Sequence, residues 1–239
     1  MHHHLRRLNL EKKWQETFKL WAQNKQYQEK LEGAKCLISK ALSEYKCYVA
    51  YSGGKDSTVV LHLVLQLNPN VMVLHWDYGR YYMPKEVLEE IIGIARKVGV
   101  RNLRIETSDL YKKLGRKAIN VLGRELLGKL VPQLYKEGYR CVFLGLRAEE
   151  SIRRKLRVKN TRILKGIKEI CPLHNWTWLD VWAYIVSNNL PYLSHYDKYA
   201  QIEGWNKTRF VTYFDPEFNK FGAQNLDGVL MWQYKYLTR

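Results

Sequence analysis

Cysteine is scarce in this sequence. Four occur in 239 residues, at positions 36, 47, 141 and 171. No two form a Cys-x-x-Cys pair, and none lies beyond Cys171. This spacing argues against a disulfide framework, a zinc ribbon and a cysteine-ligated iron–sulfur cluster. It fits a reducing cytoplasm. Long apolar runs are missing too, since none approaches the roughly 20 residues of a membrane helix. The amino-terminal stretch is charged and helix-like, so neither a secretion signal nor a membrane association is expected. His2 to His4 read as a tag remnant or a native start and are left out of the site reasoning.

Acidic residues are few relative to basic ones. Lys plus Arg number 40 against 23 Asp plus Glu, a net charge of +17. The imbalance is local. Residues 96–168 hold 21 Lys/Arg and 6 Asp/Glu, which is +15, while the rest of the chain is nearly balanced. Such a concentration points to a polyanionic partner: nucleotide phosphates, sulfate or nucleic acid. A solvated basic face is the plain alternative. With 46% apolar and 26% charged residues, the composition is that of one substantial globular domain.

The hydrophobic period divides the chain. Residues 5–45 read as helices, with Leu31, Ala34, Leu37, Ile38, Ala41 and Leu42 on one face. Cys47 to Tyr51 is a short strand, followed at once by Ser52-Gly53-Gly54-Lys55-Asp56-Ser57 and an apolar helix over 58–67. A strand over 71–75, a helix from Pro84 to about 98, a strand over 100–106, helix over 116–137 and a strand over 141–146 continue the alternation. Residues 153–168 read as a basic loop or hairpin. Residues 177–189 read as a helix opened by a Thr177/Asp180 capping box. Cys36, Cys47 and Cys141 fall on expected apolar faces. The expected architecture is α/β: a Rossmann-like parallel sheet with helices on both faces, ligands binding beyond the strands' carboxyl ends. Three parts are expected: an N-terminal helical segment (1–45), an α/β domain (46–203) and a C-terminal extension (204–239). The aromatics of that extension would close the domain's own core or offer a contact surface to a protein partner or a second copy.

The glycine pair after the first strand has a physical purpose. Gly53 and Gly54 let successive N–H groups converge on one anion, and the next helix adds its positive end. Lys55 supplies a full charge, and Ser52 and Ser57 supply hydroxyl donors. Asp56 would accept from the loop backbone or help hold magnesium. The string is not a Walker loop, because Val49 stands where its first glycine belongs, and it is not G-x-G-x-x-G. A strand-to-helix turn without a ligand is the alternative reading.

Ser-Gly-Gly-Lys-Asp-Ser after a strand resembles the pyrophosphate-binding loop of the PP-loop, or adenine nucleotide alpha hydrolase-like, superfamily. Two further segments narrow the likeness. Gly145-Leu146-Arg147 with Glu150, Ser151, Arg153 and Arg154, and Pro172 to Ile185 followed by Leu190-Pro191-Tyr192 and Tyr196-Asp197, are similar to elements of the phosphoadenosine phosphosulfate reductase-like family. The later segment is also similar to the small subunit of sulfate adenylyltransferase. The likeness covers about residues 34–197.

This resemblance implies an adenine nucleotide, ATP or phosphoadenosine phosphosulfate, together with magnesium. Nucleotide-binding roles are implied for Ser52, Gly53, Gly54, Lys55, Asp56, Ser57, Asp77, Gly145, Arg147, Glu150, Arg153 and Arg154. Of these, Lys55, Asp56 and Arg147 would be catalytic, and Asp56 or Asp77 would hold the metal. Arg147, just past the fourth strand, is expected to point its guanidinium into the crevice near the α-phosphate. Trp176, Asp180 and Trp182 read as structural. One element is missing. The family's reductases attack sulfur with a C-terminal cysteine, and residues 172–239 contain none. The expected reaction is therefore attack on the α-phosphate with release of pyrophosphate. A nucleic-acid-modifying enzyme and a non-catalytic subunit working with a partner are the alternatives.

Overall fold

The computed structural model describes residues 12–79, 82–121, 123–159 and 162–208. Six strands form one sheet: β1 (Cys47–Ala50), β2 (Met72–Asp77), β3 (Asn102–Thr107), β4 (Cys141–Phe143), β5 (Ile163–Leu164) and β6 (Ile167–Ile170). Their spatial order is β3-β2-β1-β4-β6-β5, and every pairing is parallel except the β5–β6 hairpin at one edge. The α/β expectation therefore holds, with an added antiparallel hairpin drawn from the basic stretch after residue 160. The chain runs outward from β1 through β2 to β3, then returns to place β4 on the other side of β1. That reversal leaves a crevice beyond the carboxyl ends of β1 and β4.

The helices are α1 (Lys12–Trp21), α2 (Lys25–Glu44), α3 (Lys55–Leu67), α4 (Lys85–Val98), α5 (Asp109–Leu114), α6 (Val131–Lys136), α7 (Ile152–Lys159), α8 (Trp178–Ser187) and α9 (His195–Glu203). α3 is buried nearly all round, from Lys55 to Leu65, as befits a central crossover between α2 and α8. α4 ends at Gly99, whose φ of 100° lets its N–H reach back to the Ala95 and Arg96 carbonyls. Central strands β1, β2 and β4 are almost wholly buried, whereas edge strand β3 has no fully buried residue and pairs Arg104 with Glu106 and Glu137.

Asp180 ties the N-terminal helices to the sheet's helical layer. Its buried carboxylate closes the capping box with Thr177 and also accepts from Trp21 Nε1 at 2.8 Å and Lys30 Nζ at 2.6 Å. Phe18, Trp182, Tyr192 and Trp205 pack ring against ring, and Trp182 Nε1 donates to the Thr208 hydroxyl. Residues 12–44 and 204–208 thus share one core with the α/β domain. Trp205 closes the domain's own core, and the remaining aromatics of the extension, from Phe210 onward, lie outside the described residues.

Three local expectations need correction. Cys36 is exposed, because on α2 it lies about 200° from the buried positions Ala34 and Ile38. Residues 116–137 are not one helix. A 3₁₀ turn runs from Gly115, which ends α5, to Val121, and after Gly123, at φ 72°, come a π turn (Leu126–Leu130) and α6. The loop expected at 147–154 carries a 3₁₀ turn and the start of α7.

Candidate active site

The first turn of α3 begins at Lys55, three residues earlier than the apolar period indicates. The Gly54 carbonyl explains this. It accepts from the Thr58 N–H at 2.9 Å and from the Ser57 and Thr58 hydroxyls at 2.9 and 3.0 Å. Only Ser52, Gly53 and Gly54 remain as loop. Gly53 sits at φ 85°, a conformation side chains avoid, and a Cβ there would lie 2.4 Å from the Ile91 side chain. The Lys55 N–H, at the open end of the helix, donates to the Tyr196 hydroxyl at 2.9 Å.

The chain leaving β4 crosses directly over this turn. A Cβ on Gly145 would stand 2.6 Å from the Ser57 nitrogen and 2.8 Å from the Asp56 carbonyl carbon. Only a residue without a side chain permits that approach. Two residues on, Arg147 turns inward rather than toward the crevice. It is buried, its Nε donates to Asp56 Oδ1 at 2.5 Å, and its NH1 pairs with Glu149. Asp56 is held on its other oxygen by Lys55 Nζ at 3.1 Å. Burial disfavours the Asp56 carboxylate, but Arg147 and Lys55 outweigh it and hold the group well below the usual carboxylate range. Burial pulls the Lys55 ammonium down, with Asp56 opposing. The charges Lys55–Asp56–Arg147 form a fixed chain, with Arg147 behind the loop.

In front of the loop lies a cavity of about 270 Å³. Ser52, Gly54, Lys55, Asp56 and Ser57 line its floor, and Gly145, Glu150 and Arg154 line one side. Leu74, His75, Trp76, Tyr78, Met83 and Tyr196 are also part of the wall. The structure therefore brings eight of the twelve expected site residues to one cavity. Gly53 and Arg147 support it from behind. Arg153 is exposed on α7, while Arg154, one position on, reaches the cavity and pairs with Glu150. Glu150 also accepts from the Arg147 N–H at 3.2 Å. Asp77 ends β2 as expected, but it does not line the cavity, and its Oδ1 accepts from the Gly79 N–H at 2.8 Å.

The donors expected for magnesium do not present themselves as such. Both Asp56 oxygens face cationic partners, and Asp77 caps its own turn. Among the described residues no three His, Cys, Asp or Glu side chains cluster as a metal site. Among the cavity residues that the sequence did not single out are His75 and Tyr196. Tyr196 had a signal in its family-like segment. His75 had only its polarity within an apolar strand.

None of the four cysteines lines the cavity. Burial and Glu169 push the Cys171 thiol up to about 12, so it is not a thiolate at neutral pH.

Residues 46–210 match the family model described as the phosphoadenosine phosphosulfate reductase domain. The adenosine 5'-phosphosulfate reductase of Bacillus mycoides is 29% identical over 191 residues, covering 74% of this chain and 80% of the relative. A crystal structure of phosphoadenylyl-sulfate (PAPS) reductase from Candida auris superposes with a TM-score of 0.56 at 21% identity, over 80% of this chain and 93% of that one. NMN synthetase from Francisella tularensis shares the fold more distantly, with a TM-score of 0.50 at 14% identity over 89% and 96% of the two chains. The loop at β1, the strand order that opens the crevice above it and a family match spanning most of the chain agree: this protein belongs to the phosphoadenosine phosphosulfate reductase domain family.

Proposed function

We propose that this protein binds ATP in the cavity above β1 and β4 and directs an acceptor oxygen onto the α-phosphorus, releasing pyrophosphate. The observation that carries the reading is a phosphate-type loop opening on a cavity that no thiol lines. The Ser52 hydroxyl, the remaining loop amides and the α3 N-terminus suit the β- and γ-phosphates, while the Ser57 hydroxyl is held by the Gly54 carbonyl and the Lys55 N–H by Tyr196. Lys55 and Arg154 supply the positive charge that a pentavalent phosphorus and a departing pyrophosphate require. Arg147 acts as a positioning residue, holding Asp56 and through it Lys55.

The chemistry balances without a covalent enzyme intermediate. The acceptor's lone pair forms the new O–Pα bond, the bond from Pα to the bridging oxygen breaks, and that oxygen leaves with its electron pair on pyrophosphate. Any proton on the acceptor passes to solvent. The protein's contribution is orientation and charge neutralisation. Against thiol-based reduction stands that none of Cys36, Cys47, Cys141 and Cys171 lines the cavity.

The test sets the two chemistries side by side. Pyrophosphate release from ATP is measured with sulfate and with carboxylate acceptors, and sulfite release from phosphoadenosine phosphosulfate is measured with a dithiol reductant. The reading expects the first activity, lost in Lys55→Ala. Sulfite release without pyrophosphate release overturns it.

A further inference from the structure

One buried side chain among the cavity's lining residues has no role in the chemistry above. His75 lies on β2, is 1% exposed, and lines the cavity between Leu74 and Trp76. Its Nδ1 stands 2.9 Å from the main-chain oxygen of Tyr51. A carbonyl can only accept, so Nδ1 carries the hydrogen. Burial lowers the pKa of the imidazole from its ordinary value, against weaker opposing effects of the Tyr51 carbonyl and Asp77. Nε2 is therefore a bare acceptor. It is buried and has no partner among the described residues.

We propose that Nε2 of His75 accepts a hydrogen bond from a donor group of the bound nucleotide, making His75 a specificity residue for the nucleoside end of the ligand. The inference rests on the nucleotide reading above and deepens it. Phosphate oxygens are excluded from this position, since an ionised phosphate and Nε2 both offer lone pairs. The triphosphate then runs toward Ser52–Ser57, and the nucleoside lies against β2. Two groups of an adenine nucleotide share the required chemistry: the 6-amino group and a ribose hydroxyl. A 6-oxo base would set an acceptor against an acceptor.

Binding of ATP, ITP, 2'-deoxy-ATP and 3'-deoxy-ATP to wild type, His75→Phe and His75→Gln decides the matter. Wild type is expected to bind one analogue about tenfold more weakly than ATP, because a buried acceptor then loses its donor. That analogue identifies the group. His75→Phe should bind ATP about tenfold more weakly and lose discrimination against that one analogue only. His75→Gln, which keeps an acceptor and serves if the phenylalanine variant fails to fold, should retain part of it. Equal analogue ratios in wild type and both variants overturn the assignment, as does a wild type that treats all four alike. A wild type that binds none of them overturns the nucleotide reading itself, and this assignment with it.

Discussion

Replacing Gly145 by alanine adds one methyl group at the point where the β4 strand end crosses the phosphate loop. The added carbon would lie 2.6 Å from the Ser57 nitrogen, 2.8 Å from the Asp56 carbonyl carbon and 2.9 Å from the Ser57 Cα. Ordinary contact begins near 3.4 Å, so backbone must withdraw by most of an ångström. No flexible side chain is available to yield. Overpacking of this kind costs about 1–3 kcal/mol. Because the segment displaced carries Asp56 and Ser57, the loop moves with it, and a displacement near 1 Å at a reacting centre can cost about a hundredfold in rate. The assay pairs thermal unfolding with ATP titration. Gly33→Ala is the control: Gly33 is exposed in the middle of α2 with nothing within 4 Å of an added Cβ, and alanine there should stabilise by about 0.5–1 kcal/mol. Gly145→Ala should lower both stability and ATP affinity, the latter by at least about tenfold. A Gly145→Ala protein with wild-type melting and wild-type affinity would refute the idea that this close approach fixes the loop.

Two further substitutions separate site from scaffold. Arg154→Ala should weaken ATP binding about tenfold by removing a charge from the cavity wall, while Arg153→Ala, on the exposed side of α7, should leave it unchanged; equal effects in the two titrations would contradict the placement of these residues. Asp180→Ala should destabilise by about 3 kcal/mol, the low end for a broken buried pair because Lys30 reaches solvent, and should lower the melting temperature by roughly 6–12 °C without changing ATP affinity; a shift under 2 °C would contradict the network described for α1, α2 and α8.

The parts that were legible in the sequence share a feature: their physics is local. The strand-glycine-helix unit at 47–67 and the Thr177/Asp180 cap are written in adjacent residues, and alternation of strands with helices is written in period. Side-chain direction is not local. Arg147 stands where the sequence places it, but the buried charge of Asp56 draws its guanidinium behind the loop, and no spacing rule reports that. Arg154 takes the position at the cavity because one further residue along α7 turns the side chain by about 100°. The start of α7 itself was hidden, since Ile152 and Leu156 are exposed and the helix has no buried residue to reveal a period. The break-up of 116–137 follows from positive φ at glycines, which sequence allows but does not require. His75 carries no motif and is marked only by a tautomer set by the Tyr51 carbonyl, visible once β1 and β2 are paired.

The central claim is that the turn at Ser52–Ser57 is a working phosphate cradle with Lys55 as its charge. Direct titration of the protein with ATP tests it, wild type beside Lys55→Ala, with unfolding curves to show that both are folded. The account predicts saturable binding by the wild type and at least about tenfold weaker binding by the variant, the order expected for loss of a buried charge on phosphate. Absence of wild-type binding at millimolar ATP, or equal binding by the two folded proteins, would contradict it.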